Sequence, residues 1–305
     1  MTVINVMRFN KESGGMVADS QGSTQMRKYD LFVKSMLLGN KFIMGGTGSS
    51  SVLDEAGKGL AGGLYDPKKN TYENAQVLSM ILNESYRGYI DDLMKAKFGF
   101  CSKEFIAGRL ADGTPIGQHL IQPAGEVYSG GDQSWQQKRA NEFVVIGRDE
   151  DDCRIYYVPM IGRPTMSSLP FATAGSGMDE ADNVLHDFMR SIPREKRQEI
   201  EFVPGMATLI RATNRASDLN PGVGGVPTIS YLKGELSRVL PEQDSILATE
   251  IVRVADKGLV TEPEALQSLE NLLGESANFK DIEDKIFWGK NSSKEIMRFL
   301  RGYRV

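Results

Sequence analysis

Thr2-Val3-Ile4-Asn5-Val6-Met7-Arg8-Phe9 follows Met1, and its alternation of side chains is typical of a β-strand. A glycine-containing turn leads to a second short strand, which ends at Val17-Ala18-Asp19-Ser20. If Met1 is removed, Thr2 carries a hydroxyl nucleophile and a free α-amine on one residue. Such a threonine can attack an amide bond, with the amino terminus of the chain as its base. The first hairpin therefore presents a candidate nucleophile.

Composition restricts the class of protein. The 305 residues are 40% hydrophobic and 25% charged, which is ordinary for a soluble globular chain. A formal net charge of −4 gives no basic footprint for nucleic acid or an anionic membrane. No apolar run is long enough for a membrane span, and charged residues at Arg8, Lys11 and Glu12 replace the apolar core of a signal peptide. We expect a cytoplasmic protein with neither nucleic acid nor membrane as partner.

Metal, thiol and histidine chemistry find little support. Cys101 and Cys153 are too few for a disulfide framework or a zinc site. His119 and His186 have no accompanying nucleophile-elbow motif and form no recognisable ligand set with the cysteines. The glycine-rich loop at 45–51 lacks the Gly-Lys-Ser/Thr ending of a phosphate-binding loop. We therefore expect no metal and no cofactor.

The order of predicted elements indicates the fold class. The first 50 residues read as strands, a helix begins near Val52, and a long amphipathic helix covers 74–97. Glycine-rich, polar sequence then predicts hairpins and exposed loop over 98–142, followed by a strand pair at 142–147 and 154–158.

The second half of the chain is mainly helical. Helices are expected over 179–190 and 205–216, with a loop at 218–225 and a strand at 226–232. Four helical segments follow, at 243–257, 262–274, 278–287 and 292–302. Antiparallel strands with helices grouped in runs predict an α+β fold rather than an alternating parallel one.

Five short motifs occur in a fixed order along the first 180 residues. These are Val17-Ala18-Asp19-Ser20, Lys34 at 32 residues after Thr2, Asn40-Lys41-Phe42-Ile43-Met44-Gly45-Gly46, Phe143-Val144-Val145-Ile146-Gly147 with Tyr156-Tyr157-Val158-Pro159, and Ala174-Gly175-Ser176-Gly177. Their joint order resembles that of proteasome β-subunits and HslV-type peptidases, a branch of the N-terminal-nucleophile hydrolases. The resemblance implies a four-layer αββα sandwich over 1–238, with an irregular insertion at about 98–142 and a helical C-terminal extension over 239–305.

The resemblance also implies a role for each of four side chains. The hydroxyl of Thr2 would attack the peptide carbonyl, and its α-amine, with an ordinary pKa of about 7.7–8.0, would act as general base. Lys34 would supply a fixed positive charge, Asp19 would hold Lys34, and Ser176 would orient the amine. Without the resemblance, Lys34 reads as a surface lysine, Asp19 as a turn residue and Ser176 as a helix cap.

Two further assignments complete the implied site. A backbone N–H of Gly45 or Gly46 would bind the developing oxyanion. Asp218 would correspond to a late family aspartate, although Pro221 stands where the family has serine and Ser217 is adjacent.

The implied function is that of a threonine peptidase acting on polypeptides. Relatives assemble into homo-oligomeric rings and work with an ATP-driven unfoldase, so both are expected partners. Two alternatives stay open: a monomeric peptide ligase, in which an amine resolves the acyl-enzyme, and a catalytically silent structural subunit in which Met1 is retained.

Overall fold

The computed structural model describes residues 2–23, 28–29, 33–130, 141–274, 279–288 and Ile296. The strands are β1 (Ile4–Arg8), β2 (Ser13–Ala18), β3 (Gly22–Ser23), β4 (Lys28–Tyr29), β5 (Ser35–Leu38), β6 (Phe42–Gly46), β7 (Glu142–Arg148), β8 (Cys153–Pro159), β9 (Thr165–Met166), β10 (Phe171–Ala174), β11 (Thr228–Lys233) and β12 (Leu236–Val239). The helices are α1 (Ser50–Gly59), α2 (Thr71–Phe98), α3 (Ser102–Ala107), α4 (Gln118–Ser129), α5 (Met178–Ser191), α6 (Phe202–Leu219), α7 (Glu242–Asp256), α8 (Glu262–Leu273) and α9 (Phe279–Glu283).

Two five-stranded antiparallel sheets form the centre of the molecule. The first has the order β10-β1-β2-β11-β12, and the second has the order β5-β6-β7-β8-β9. In the first sheet Ile4 pairs with both Ala174 and Ala18. This register brings the residues that follow β2 and β10 to the end of β1 where Thr2 lies.

Strand β1 is buried on both faces because the first sheet is covered on both sides. Val3 and Met7 point to a cluster shared with the helices, whereas Ile4 and Val6 point to the second sheet. Alternate side chains of a strand face opposite sides of the sheet. A strand that is apolar at successive positions is therefore expected to have other elements packed on both faces of its sheet.

Helices flank the sheet pair on its two outer sides. One apolar cluster joins the first sheet to α5, α6, α7 and α8, and another joins the second sheet to α1 and α2. Met206 of α6, Ile251 of α7 and Leu269 of α8 belong to the same cluster. Two antiparallel sheets with grouped helices confirm the predicted α+β class.

The prediction of hairpins and exposed loop over 98–142 is wrong at α3 and α4, whereas a tight exposed turn does close between Arg109 and Pro115. Helices α3 and α4 pack on the C-terminal half of α2 around Met94 and Phe100. Gly130, one of the glycines that suggested a hairpin, instead ends a helix: like Gly99 and Gly108 it adopts the left-handed conformation at a C-cap. Residues 131–140 of this prediction lie outside the described ranges.

The long helix predicted at 74–97 and the strand pair near 142–158 are confirmed. Helix α6 runs further than predicted, to Leu219, and strands β10 and β12 were not predicted. The helix predicted at 292–302 falls outside the described residues except at Ile296. Within the described ranges, no helix is both long enough and apolar enough to cross a membrane.

Candidate active site

Thr2 precedes β1 and is held through its backbone. Its nitrogen donates to Ser176 Oγ at 3.1 Å, and its carbonyl oxygen accepts from the Gly177 amide at 3.1 Å. This nitrogen is an amide while Met1 is attached and becomes the α-amine once Met1 is removed. The structure thus places Ser176 against the atom that would serve as the base.

Gly175 explains how the turn after β10 comes so close to Thr2. Its φ is +97°, and a Cβ built at this position would lie 2.3 Å from the Thr2 carbonyl oxygen and 3.2 Å from Thr47 Cγ2. Only glycine combines this backbone conformation with so close an approach. The same contact brings the end of β6 beside Thr2.

Asp19 and Lys34 form a buried ion pair next to the start of β1. Lys34 Nζ lies 2.8 and 2.9 Å from the two Asp19 carboxylate oxygens and 2.6 Å from the Gln21 carbonyl oxygen. Asp19 also accepts from the Val3 amide at 2.8 Å and from the Gly224 amide at 3.3 Å. The carboxylate therefore links the lysine to the backbone of the residue that follows Thr2.

Burial opposes the charge on both partners. It lowers the pKa of the Lys34 ammonium, while the Asp19 carboxylate opposes this decrease. It raises the pKa of the Asp19 carboxyl, while Lys34 and the two amides oppose this increase. Lys34 donates short charge-assisted hydrogen bonds to both Asp19 oxygens, so its ammonium group is held at a fixed position in a dry environment.

The two glycines predicted as oxyanion donors are committed to the second sheet. The Gly46 amide donates to the Lys34 carbonyl at 2.9 Å. Gly45 lies opposite Val144, and two residues later the Thr47 amide donates to the Glu142 carbonyl oxygen. In an antiparallel pair every second residue is hydrogen-bonded to the residue opposite, so the Gly45 amide donates to Val144.

Gly48 provides a free amide where the sheet ends. Its φ is +100°, and its amide has no hydrogen-bond acceptor among the described residues. A Cβ there would lie 2.2 Å from Asn141 Oδ1, which accepts from the Ser49 amide. Gly48 was not among the predicted oxyanion donors, although it directly follows Gly45-Gly46-Thr47 in the sequence.

Asp218, predicted as a site residue, contacts the C-terminal helices. It lies in the last turn of α6, within 3.7 Å of the Arg253 guanidinium on α7. Asn220, two residues later, instead donates from Nδ2 to the Ser176 carbonyl oxygen at 3.0 Å. The structure thus brings Thr2, Asp19, Lys34 and Ser176 together and directs Asp218 toward the C-terminal helices.

Among the side chains that the structure describes, no group of three or more His, Cys, Asp or Glu is arranged to hold a metal ion. Cys153 is buried, and burial raises the pKa of its thiol to about 12.

Comparisons with known proteins give a structural match without a sequence match. No family model matches the chain, and no curated protein matches it significantly. Among solved structures, the chain is similar to the Anbu (Gly-1) mutant from Hyphomicrobium sp. strain MC1. The TM-score is 0.52 at 11% sequence identity, over 79% of this chain and 86% of the other.

Anbu is a proteasome-related, HslV-like protein of the N-terminal-nucleophile type. At 11% identity the likeness shows a shared fold.

Proposed function

We propose that the protein is a threonine peptidase of the N-terminal-nucleophile type, with Thr2 as the nucleophile once its α-amine is exposed. The observation that carries the proposal is the position of the Thr2 nitrogen, 3.1 Å from Ser176 Oγ and one residue before the Val3 amide that Asp19 binds. In this proposal the two flanked sheets are the four-layer αββα sandwich of that superfamily.

Acylation follows from these positions. The α-amine of Thr2 takes the proton from Oγ, and Oγ adds to the peptide carbonyl carbon. The Lys34 ammonium, held in place by Asp19, supplies the positive charge that favours the deprotonated form of the nucleophile. The tetrahedral oxyanion is bound by the Gly48 amide, which replaces the Gly45 and Gly46 amides in this role.

Deacylation restores the enzyme. The α-ammonium gives its proton to the leaving amine as the carbon–nitrogen bond breaks, and an ester to Thr2 remains. Water then adds to this ester with the α-amine as base, and the carbon–oxygen bond to Thr2 breaks as the α-ammonium returns the proton to Thr2 Oγ. The products are a carboxylic acid, an amine and the original threonine.

Polypeptides are the proposed substrates, and a homo-oligomeric ring that works with an ATP-driven unfoldase is the proposed assembly. Both follow from the sequence resemblance and the shared fold. Light scattering on the purified protein tests the ring, because a ring has several times the mass of the 33.7 kDa chain.

The proposal is tested with protein whose intact mass shows that Thr2 is the first residue. Such protein is expected to cleave members of a fluorogenic peptide panel, and Thr2→Ala is expected to remove all turnover without loss of structure. Thr165→Ala changes an exposed threonine in β9 and is the matched control. Full turnover by the Thr2→Ala variant, or none by the processed wild type across the panel, would contradict the proposal.

A further inference from the structure

Ser176 is the exposed residue of the turn after β10, although its Oγ contacts the buried nitrogen of Thr2. Ser176 itself is exposed, whereas Thr2 is 8% exposed. Packing therefore contributes little to the position of the Ser176 side chain. Gly175 and Gly177 anchor the turn on either side of Ser176, and a further hydrogen bond at Ser176 itself would restrain this exposed residue.

Asn220 supplies such a bond from the end of α6. Its Nδ2 donates to the Ser176 carbonyl at 3.0 Å, and its Oδ1 accepts from the Gly222 amide at 3.1 Å. Its backbone is also fixed, because its amide donates to Ala216 and its carbonyl accepts from Val223. The Oδ1 of Asn220 is thus bound by its own loop, and the Nδ2 binds the Ser176 turn.

The loop that carries Asn220 borders a cavity at its far end, while Val223 in its middle is buried in the main core. A cavity of about 840 Å³ lies between this loop and α7, lined by Gly224 and Gly225 on one side and by Thr249 and Arg253 on the other. Val223 packs the middle of the loop into the main core, and the hydrogen bonds of Asn220 fix the end that faces Ser176.

The far end of the same loop contacts Asp19. The Gly224 amide donates to Asp19 Oδ2 at 3.3 Å, and the Gly224 carbonyl accepts from the Ser20 and Gln21 amides at 3.1 and 2.9 Å. Residues 220–224 thus join the Ser176 turn to the segment that holds Lys34. The Asn220 side chain provides the hydrogen bond from this loop to Ser176.

We propose that Asn220 is a positioning residue: it holds Ser176 Oγ in place as the acceptor for the Thr2 amine. The inference rests on the proposed function, in which that amine is the general base. Loss of the acceptor removes a hydrogen bond that favours the charged amine, so it lowers the pKa of the Thr2 amine.

The test measures the amine directly, so that it does not depend on turnover. Acylation of the Thr2 amine by acetic anhydride is followed against pH by mass spectrometry of the N-terminal peptide, in the processed full chain. Asn220→Ala is expected to move the midpoint of this profile to lower pH. If the enzyme turns over peptide, kcat is expected to fall about tenfold with KM little changed, as for loss of one well-placed hydrogen bond.

Asn220→Ser provides a second variant for the case in which Asn220→Ala does not fold. Its hydroxyl can still accept from the Gly222 amide, but it is too short to reach the Ser176 carbonyl, so the same midpoint shift is expected. Leu219→Ala changes the exposed neighbouring residue and should leave the midpoint unchanged.

The Ser176→Ala variant shows whether the effect passes through Ser176. It should shift the midpoint alone, and addition of Asn220→Ala should produce no further shift. An unchanged midpoint in a folded Asn220 variant, or additive shifts in the double variant, would overturn the role of Asn220. A protein with the expected midpoint shifts and no peptide turnover would overturn the proposed function and leave the positioning role supported.

Discussion

Lys34 Nζ lies within hydrogen-bond distance of both carboxylate oxygens of Asp19, and the two side chains are 3% and 1% exposed. A buried pair of this kind is costly to break from one side, because the remaining charge loses its partner in a dry environment. The ion pair is therefore required for the structure of the candidate site, and its Lys34 partner is the positively charged group there.

The first prediction concerns the stability of this pair. Lys34→Met leaves the Asp19 carboxylate buried without its cation and is expected to reduce the free energy of unfolding by about 3–5 kcal/mol. Asp19→Asn should cost a comparable amount, whereas the double variant should lose much less than the sum of the two. Urea unfolding of all four proteins measures this, and additive losses would show that the two residues are not coupled.

The second prediction concerns the close approach at Gly175. Gly175→Ala places a methyl group 2.3 Å from the Thr2 carbonyl oxygen and is expected to abolish peptide turnover by displacing Thr2. Gly63→Ala is the matched control, because Gly63 also has a positive φ, of +113°, but has nothing within 4 Å of the added carbon. Both variants should lose about 1–2 kcal/mol of stability from backbone strain. Equal peptide turnover in the two variants would show that the close approach of Gly175 to Thr2 is not needed for activity.

The third prediction concerns the C-terminal helices. Ile251 of α7 is fully buried in the cluster that contains Met206 and Leu269, so Ile251→Ala is expected to reduce the free energy of unfolding by about 2–5 kcal/mol. Ile106 is 67% exposed, and Ile106→Ala should change it by less than about 0.5 kcal/mol. If Ile251→Ala unfolds at the same urea concentration as wild type, α7 does not contribute to the main core.

The fourth prediction concerns thiol reactivity. Burial raises the pKa of the Cys153 thiol to about 12, so at pH 8 almost none of it is the reactive thiolate. Cys101 is half-buried and accessible. One equivalent of iodoacetamide should react quickly with the folded protein, at Cys101, and a second only after unfolding. Peptide mapping that finds rapid alkylation of Cys153 in the folded protein would contradict this.

The elements that could be predicted from the sequence are those with local signals. Alternation predicted β1 and the β7–β8 hairpin, and apolar spacing predicted α2 and α6, because side-chain periodicity follows directly from which faces are buried. The helices of the 98–130 region were missed because the αL glycine of a helix C-cap and the glycine of a hairpin turn have the same sequence signal.

The site could be predicted only in part because its contacts join distant residues. Asn220 and Ser176 are 44 positions apart, and no local pattern links them. Asp218 was assigned to a loop, but α6 continues past it and its side chain reaches Arg253. Residues two apart on a helix point about 200° apart around its axis, so an extension of one turn changes which side chains reach the site.

The central claim is that the Thr2 hydroxyl and α-amine act together as nucleophile and base. The most direct measurement is reaction of the processed protein with a peptide epoxyketone, an electrophile that forms a ring only with a hydroxyl and an amine on the same residue. We predict one adduct per chain, located on Thr2 by tandem mass spectrometry and absent from Thr2→Ala. A processed and folded protein that forms no adduct, or that carries the adduct on another residue, would contradict the claim.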